Sequence, residues 1–436
     1  MNVQLFFRGR LSDLDPETRR HLLERTPSDT PELARKVARL MEQVRRQGDA
    51  ALREQVVRFD GVAEPVLEVP RERWDEALRR LDDPTRRALE RAAANIRRFH
   101  EAQRPREVTL TVEPGVRITR RWVPLPAAGV YAPGGRAAYP SSVLMGVVPA
   151  AAAGVKEIVV CSPPGPEGAP PAPVLAACAL GGATRLIAAG GAGAVAALAY
   201  GTETVPAVDA IVGPGNRWVT EAKRQAAGRV VTDSPAGPSE VLVVADAAAP
   251  PAAVARELLA QAEHDPDAAC VLVTPSPQVA RSAEDALGEL LARAPRRDLA
   301  AAALAANGAV LVTDDLGEAL AFADAYAPEH LSLMTRNPER DAGDVSTAGT
   351  IFLGAAASVA FGDYLTGANH VLPTAGRARS FSGLSTLHFL RSFTVQDITP
   401  AGAAALAEDT ALLARAEGLP AHAEAAEGAG THGGRS

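Results

Sequence analysis

Short apolar runs rich in valine, isoleucine and leucine recur along the middle of the chain, separated by longer alanine-rich stretches. Apolar runs of this kind are typical of strands that are buried on both faces. Because parallel strands need a crossover connection, usually a helix, the alternation predicts a parallel sheet with helices on its faces. The first series predicts strands at 157–161, 185–189, 209–212 and 229–232, with helices that include 171–180 and 218–227.

A second series of the same kind begins after Pro238-Ser239. Two α/β domains in succession place a ligand cleft between the domains or at the carboxyl ends of their strands. The second series predicts strands at 240–245, 269–274, 309–313, 331–334 and 350–353, and helices at 252–264, 279–294 and 316–326.

The two ends of the chain have different patterns. Residues up to about 103 predict helices, because leucines recur at three- and four-residue spacing between faces rich in arginine and glutamate. Alternation over 108–123 predicts strands. The last 50 or so residues again predict helix, and the Gly/Ala-rich tail beyond Glu424 is predicted to be disordered.

Composition excludes several classes of protein. The 436 residues, 47% hydrophobic and 22% charged with a formal net charge of −7, fit a globular protein and give no basic footprint for nucleic acid. No apolar run approaches the roughly 20 residues that span a bilayer, and the N-terminus lacks the apolar core of a signal peptide. Cys161, Cys178 and Cys270 lack metal-ligand spacing and predict buried, reduced thiols in a cytosolic protein.

Histidines beside carboxylates or amides form the main chemical signal. Glu329-His330 lies between a predicted helix and a predicted strand, Asp363 and His370 follow, and Gln261 and His264 share one face of a helix end. Such groups can move protons or hold zinc. The alternatives are a histidine favoured by a helix C-terminus and, for Glu329-His330, a capping histidine beside a solvated glutamate.

Three glycine-rich loops follow predicted strands, at 131–135, 190–193 and 213–216. None matches GxGxxG with an acidic residue about 20 positions later, so the standard dinucleotide fingerprint is missing. Each loop is either a tight turn or a place where phosphate approaches the backbone at a helix N-terminus.

Ordered blocks over nearly the whole chain resemble the histidinol dehydrogenase family. They are 136–145, Gly213-Pro-Gly-Asn216, 236–240, Gln261-Ala-Glu-His264, 326–330, Gly362-Asp363-Tyr364, 369–374 and Ser382-Gly-Leu-Ser385. The resemblance implies oxidation of L-histidinol to L-histidine through L-histidinal in two NAD-dependent steps. It also implies two successive incomplete Rossmann-like parallel-sheet domains with helical ends. The implied segments are 1–24 (helical), 25–130 with 241–384 (α/β, metal and catalytic residues), 131–240 (α/β, NAD-binding) and 385–436 (helical, dimer contact).

The resemblance further implies the roles of individual residues. Glu329 and His330 would be the catalytic pair, and the other expected roles divide into metal, substrate and cofactor contacts. Zinc would be held by Gln261, His264, Asp363 and the partner subunit's His422 in a homodimer. Substrate would contact these residues together with Ser239, His330, His370 and Glu417, and NAD would contact Tyr131, Gly193 and Asn216.

Gly193 departs from the family pattern, which usually has glutamine after Gly-Gly-Ala as a contact to the dinucleotide. Glycine removes that side-chain contact, so the sequence predicts that glutamine at 193 lowers the Michaelis constant for NAD. Two other functions stay open. One is a dehydrogenase of another small amino- or hydroxy-alcohol, although His370 and Glu417 suit the cationic imidazole of histidinol. The other is a metal- or nucleotide-binding protein without turnover.

Overall fold

The computed structural model describes residues 3–25, 30–134, 138–235 and 237–432. The chain divides into two compact units, Met1–Ala102 with Pro126–Phe389, and Gln103–Leu125 with Leu390–Ser436. The motif residues Gly135, Arg136 and Ala236 lie outside the described residues.

The secondary structure follows the predicted alternation. The strands are β1 Phe7–Arg10, β2 Val108–Glu113, β3 Val116–Pro124, β4 Ala127–Tyr131, β5 Glu157–Ser162, β6 Arg185–Ala188, β7 Ala210–Val212, β8 Val231–Thr232, β9 Glu240–Ala245, β10 Ala269–Thr274, β11 Gly308–Val312, β12 His330–Met334, β13 Thr350–Leu353 and β14 Leu390–Ile398. The helices are α1 Pro16–Leu23, α2 Pro31–Asp60, α3 Arg71–Arg80, α4 Asp83–Ala102, α5 Pro140–Ala153, α6 Ala172–Gly181, α7 Gly191–Tyr200, α8 Arg217–Ala226, α9 Pro251–Ala262, α10 Pro277–Ala292, α11 Arg297–Asn307, α12 Leu316–Tyr326, α13 Pro338–Asp341, α14 Val359–Tyr364, α15 Pro400–Ala416 and α16 Pro420–His432.

Two parallel sheets form the larger unit and confirm the predicted fold class. The first sheet has the order β6-β5-β4-β7-β8, and the second has β1-β11-β10-β9-β12-β13. Within each series the strands lie in the order third, second, first, fourth, fifth. This is the Rossmann order without its sixth strand. Central strands such as β9 and β10 are buried along their whole length, which explains their continuous apolar sequences.

The N-terminal third packs differently from the prediction. Residues 25–130 were expected to join 241–384, but α2 packs against α7 and α8, α3 against α6, and α4 against α5. The apolar side of α2 completes the core around the first sheet, because a parallel sheet needs cover on both faces. The segment 1–24, predicted as helical, also contributes β1, which pairs with β11 at the edge of the second sheet.

The smaller unit contains an antiparallel sheet, β14-β3-β2, and the helix pair α15–α16. The segment 385–436 is therefore not wholly helical, since β14 pairs with β3 along its length. The tail predicted to be disordered beyond Glu424 is helical to His432. Small residues let α16 approach α15 closely, and a Cβ added at Gly430 would lie 2.7 Å from the Cβ of Ala407.

Burial agrees with the predicted state of the cysteines. Cys161, Cys178 and Cys270 are buried and unpaired, and burial raises the pKa of each thiol above its usual value. Within the described ranges, no helix has the length and apolar character required to cross a membrane.

Candidate active site

One pocket in the larger unit brings together most of the predicted site residues. Its lining includes Ser239, Gln261, His264, Glu329, His330, Asp363 and His370. Residues that were not predicted, such as Tyr139, Ser141 and Ser142 at the start of α5, also line it. The sequence-distant motifs therefore converge on one site.

The pocket lies at the amino ends of strands in the second sheet and at the carboxyl ends of strands in the first sheet. Ser239 and His330 stand at the amino ends of β9 and β12, whereas Pro133 and Pro214 follow the carboxyl ends of β4 and β7. β4 and β7 are neighbours at the point where the strand order of the first sheet reverses, which is the usual ligand position in open α/β sheets. The predicted carboxyl-end location therefore holds for the first sheet only.

Glu240 organises the predicted catalytic pair. Its main-chain N–H donates to Glu329 Oε2 over 2.7 Å, and its carbonyl oxygen lies 2.9 Å from His330 Nδ1. The contact follows from the parallel register, which sets His330 opposite Val241. With Nδ1 donating to this carbonyl, His330 Nε2 can accept a proton in the pocket, 3.7 Å from Asp363 Oδ1.

The Glu240 carboxylate is itself fully engaged. Arg25 binds it through Nε at 2.9 Å and Nη2 at 3.1 Å, and the Ala375 N–H donates to it over 2.7 Å. The same guanidinium stacks 3.4 Å from the centroid of the Tyr326 ring. Because a buried carboxylate without a partner is costly, this bidentate pair offsets the cost of burying Glu240 beside the site.

Two alanines in the segments that bind Glu240 have left-handed backbone conformations. Ala327 (φ 49°) ends α12 just before Glu329, and Ala375 (φ 55°) is the residue whose N–H binds Glu240. They are the only non-glycine residues with positive φ in the described parts of the chain. Strain of this kind persists where the surrounding contacts fix the backbone, as at functional sites.

A helix-to-helix contact brings Gln261 and Asp363 to the same pocket. Glu257 on α9 accepts a hydrogen bond of 3.0 Å from the Val359 N–H at the start of α14. Gln261 and Asp363 each lie four residues further along their own helix, and therefore on the face of that contact. His264 follows in the turn after α9, where it is exposed.

The donors in this part of the pocket suit a metal ion. Gln261 is buried and its side-chain nitrogen has no hydrogen-bond partner among the described residues, so its amide end has unused bonding capacity. Amide, imidazole and carboxylate groups together fit zinc. Across the described ranges, no group of three or more histidine, cysteine, aspartate or glutamate side chains is placed to hold a metal.

Burial sets the protonation of the central groups. It raises the pKa of Glu329 well above its usual value, and the nearby Glu240 and Asp363 carboxylates add to this effect. Burial lowers the pKa of His330 and of His370, against the opposing attraction of Asp363. His370 Nδ1 also lies 2.9 Å from the Asp363 carbonyl oxygen. The imidazoles are therefore favoured in the neutral form, which can accept a proton.

The expected cofactor residues lie near the carboxyl ends of the first sheet and have structural roles there. The Tyr131 hydroxyl accepts a hydrogen bond of 3.1 Å from the Gly191 N–H, and burial raises the pKa of this phenol to about 12. Asn216 caps α8, accepting from the N–H groups of Trp218 and Val219. Neither residue belongs to the pocket lining.

Gly193 is buried in α7 and makes room for another side chain. A Cβ added there would lie 2.4 Å from Oε1 of Gln55, whose Nε2 donates to the Leu40 carbonyl over 3.1 Å. α2 bends at Gly48 (φ 56°, ψ −132°), so this bond ties its two arms together. Glutamine at 193 can therefore lower the Michaelis constant for NAD, as predicted, only if Gln55 moves.

Glu417 and His422 belong to the smaller unit. Glu417 ends α15, His422 lies in the first turn of α16, and both are exposed.

The sequence did not identify the residues that hold the predicted catalytic pair. Arg25 gave no local signal, because its partner lies 215 positions away. Glu240 did give one, since it is a carboxylate at the head of an otherwise apolar strand and therefore needs a partner when buried.

Comparisons with known proteins agree with this architecture. The histidinol dehydrogenase family profile matches residues 23–428. The chain is 46% identical over 415 residues to the histidinol dehydrogenase of Methanothermobacter thermautotrophicus, covering 95% of this chain and 97% of the relative. It is 47% identical to that of Halobacterium salinarum, covering 95% and 96%. The crystal structure of histidinol dehydrogenase from Elizabethkingia anophelis matches with a TM-score of 0.92 at 34% identity over 98% of both chains. The chain therefore belongs to the histidinol dehydrogenase family.

Proposed function

We propose that this protein oxidises L-histidinol to L-histidine through L-histidinal, in two NAD-linked steps that depend on zinc. The observation that carries the proposal is the orientation of His330, whose Nδ1 is bonded to Glu240 and whose Nε2 is left for the pocket. Glu329 lies beside it, with its Oε2 3.5 Å from His330 Nδ1. A neutral base next to a carboxyl group suits an alcohol oxidation followed by an aldehyde oxidation.

In the first half, His330 Nε2 accepts the proton of the substrate hydroxyl as the carbon loses hydride. The hydrogen bond to Glu240 then stabilises the imidazolium through its Nδ1–H, and Asp363 lies close to Nε2. Burial favours the neutral imidazole before the reaction, so the base is ready near neutral pH.

In the second half, Glu329 accepts a proton from the water that adds to the aldehyde. The His330 imidazolium returns its proton to the aldehyde oxygen, which completes the hydrate. The neutral imidazole then accepts a hydroxyl proton as the hydrate loses hydride to NAD and becomes the carboxylic acid. Two groups are needed because the water must lose a proton while His330 still carries the proton from the first half. Each such base typically contributes about 100- to 10,000-fold in rate.

Zinc would be held by Gln261, His264, Asp363 and the partner subunit's His422, with the amine and imidazole of the substrate as further ligands. When bound, the ion orients the amino-alcohol and favours loss of its hydroxyl proton. Only two of these four protein ligands are acid or imidazole groups of the larger unit, which accords with the lack of a three-residue cluster among its described residues. Ser239, His370 and Glu417 would complete the substrate contacts.

NAD would receive the hydride at the carboxyl ends of β4 and β7. Tyr131 and Asn216 support this position because they shape the two loops there, and Gly191 leaves open space above its Cα. Gly193 contributes backbone only. The protein would act as a homodimer in which the smaller unit of one chain completes the site of the other.

A related dehydrogenase of another small amino- or hydroxy-alcohol is the alternative. NADH absorbance separates the two, with L-histidinol compared against alcohols that keep the amine but lack the imidazole. We expect two NADH per L-histidinol and at least a hundredfold lower kcat/KM for the others. A preference for an alcohol without imidazole would reject the proposed substrate.

A further inference from the structure

A buried ion pair holds the loop between β7 and α8. Lys223 and Asp233 have side chains that are 4% and 1% exposed, and they contact each other directly. Asp233 Oδ2 accepts the Gly213 N–H over 2.7 Å, and Lys223 Nζ donates to the Gly213 carbonyl over 2.9 Å. The N–H and the carbonyl oxygen of Gly213 are therefore bound by two side chains of opposite charge.

Packing alone does not account for this pair. Two buried charges lose their hydration, and hydrophobic residues of similar volume often stabilise a fold equally well or better. What the charged pair adds is a defined position for Gly213. Its φ is +115°, and a Cβ there would lie 2.1 Å from the carbonyl oxygen of Tyr131, so the loop is pressed against the end of β4.

The held loop reaches the active site. Pro214, the next residue, lines the pocket, and Asn216 caps α8. β4 and β7 are the neighbouring strands at which the order of the first sheet reverses, so the loop occupies the side where such sheets bind nucleotides.

We propose that Lys223 and Asp233 are positioning residues for the dinucleotide. By fixing the Gly213 peptide, the pair holds Pro214 and Asn216 in the conformation that receives the cofactor, without touching the reacting atoms. This role rests on the proposed NAD-linked function, because the loop that the pair supports is the loop proposed to bind NAD.

The test uses the full-length protein loaded with zinc, with three variants: Asp233→Asn, Lys223→Met and the double variant. Asp233→Asn keeps an oxygen for the Gly213 N–H, and the double variant leaves no unpaired buried charge, so a folded sample remains available if Lys223→Met fails to fold. NADH binding is measured by fluorescence, and steady-state kinetics give KM for each substrate. The control is Lys36→Met, which removes an exposed lysine paired with Glu32 on α2.

We expect the dissociation constant of NADH and the KM for NAD to rise about tenfold in the double variant, as for loss of a charge-assisted hydrogen bond. The KM for L-histidinol and kcat at saturating NAD should stay within about threefold of wild type, and Lys36→Met should match wild type in all measurements.

A purely structural pair would give a different result. A folded double variant with unchanged NADH binding would overturn the inference. A double variant in which only kcat falls, because less of the protein is active, would overturn it as well. Wild-type protein that binds no NADH and forms none from L-histidinol would reject the proposed function, and this inference with it. Normal wild-type turnover with unchanged variants rejects the inference alone.

Discussion

Glu240 and Glu329 hold each other through reciprocal hydrogen bonds, in which the main-chain N–H of each donates to the carboxylate of the other over 2.7 and 3.4 Å. The bonds join Glu240, the first residue of β9, to Glu329, the residue just before the neighbouring parallel strand β12, so the strand register places Glu329 and His330 at the pocket. Arg25 neutralises Glu240 from the other side. The proposed catalytic pair is therefore supported by a charge network that reaches the N-terminal segment.

Replacing Glu329 by Gln should separate the two halves of the reaction. Glutamine keeps an oxygen that can accept the Glu240 N–H, so the fold should survive, but it cannot accept a proton from water. We expect NADH formation from L-histidinal to fall about 100- to 10,000-fold, with a much smaller loss in oxidation of the alcohol. His330→Asn should impair both halves. Single-turnover measurements from each substrate test this, and equal losses for the Glu329 variant would contradict the division of roles.

Removing zinc should abolish turnover while leaving the protein folded. Gln261, His264 and Asp363 lie on helix ends that other contacts already hold, such as the Glu257–Val359 hydrogen bond. A chelated sample should keep its circular dichroism spectrum, form no NADH from L-histidinol, and recover when zinc is added. His264→Asn should weaken zinc binding in a metal-competition titration. Full activity in a sample verified as metal-free would rule out the requirement.

Glutamine at 193 should destabilise the protein, because Gln55 already occupies the space that its Cβ needs. We expect Gly193→Gln to lower the free energy of unfolding by about 1–3 kcal/mol, as for overpacking elsewhere. The double variant Gln55→Ala with Gly193→Gln should recover much of this loss. Only the double variant is then expected to lower the KM for NAD. Urea unfolding and NAD titrations check both effects, and a stable single variant with tighter NAD binding would restore the simpler prediction from sequence.

Asp60, at the end of α2, should reduce stability at neutral pH. Burial raises its pKa to about 6, and no hydrogen-bond or ion-pair partner exists for it among the described residues. A carboxyl whose pKa is raised on folding stabilises the protein below its unfolded pKa of 3.8, and this contribution is lost as the pH rises through about 6.

Asp60→Asn should therefore raise the free energy of unfolding at pH 8 by about 1 kcal/mol, discounted because the group is only half buried, with no gain at pH 3.5. Urea unfolding at both pH values measures this, with the exposed Asp285→Asn as control. A gain of equal size at both pH values would show that the charge is not the cause. Asp60 lies near Tyr131, so the KM for NAD should be measured on the same sample.

The predictable parts of the fold are those determined by local pattern. The two parallel series could be predicted because strands buried on both faces are apolar throughout, as in β9 and β10. β14 was missed because it is largely exposed and its partner β3 lies about 270 residues earlier, a pairing that local periodicity cannot show.

In the site, too, local motifs could be predicted from the sequence, whereas contacts between distant residues could not. The motifs that carry Gln261, Asp363 and His330 identified the groups in the pocket, but not the groups that hold them. Lys223 and Asp233 act on the backbone of Gly213, and their effect depends on burial that a sequence does not state. The space beside Gly193 likewise depends on how α2 packs against α7.

Each active site should be shared between two chains. Glu417 and His422 are exposed in the smaller unit, and the proposed zinc site takes one of its imidazole ligands, His422, from the partner chain. We expect a twofold dimer in which these residues act in trans. Neither His330→Asn nor His422→Asn should be active alone. If the tail acts in trans, a mixed dimer of the two variants has one site with both defects and one with neither.

Random reassortment makes half of the dimers mixed, so about a quarter of the sites should regain wild-type activity. If the tail serves its own chain, every site keeps one defect and mixing restores nothing. Co-refolding equal amounts and assaying NADH formation distinguishes the two, with differently tagged chains to prove that mixed dimers form. A mixture as inactive as its components, despite proven exchange, would refute the shared site. Recovery near a quarter would instead show that His422 completes the partner's site.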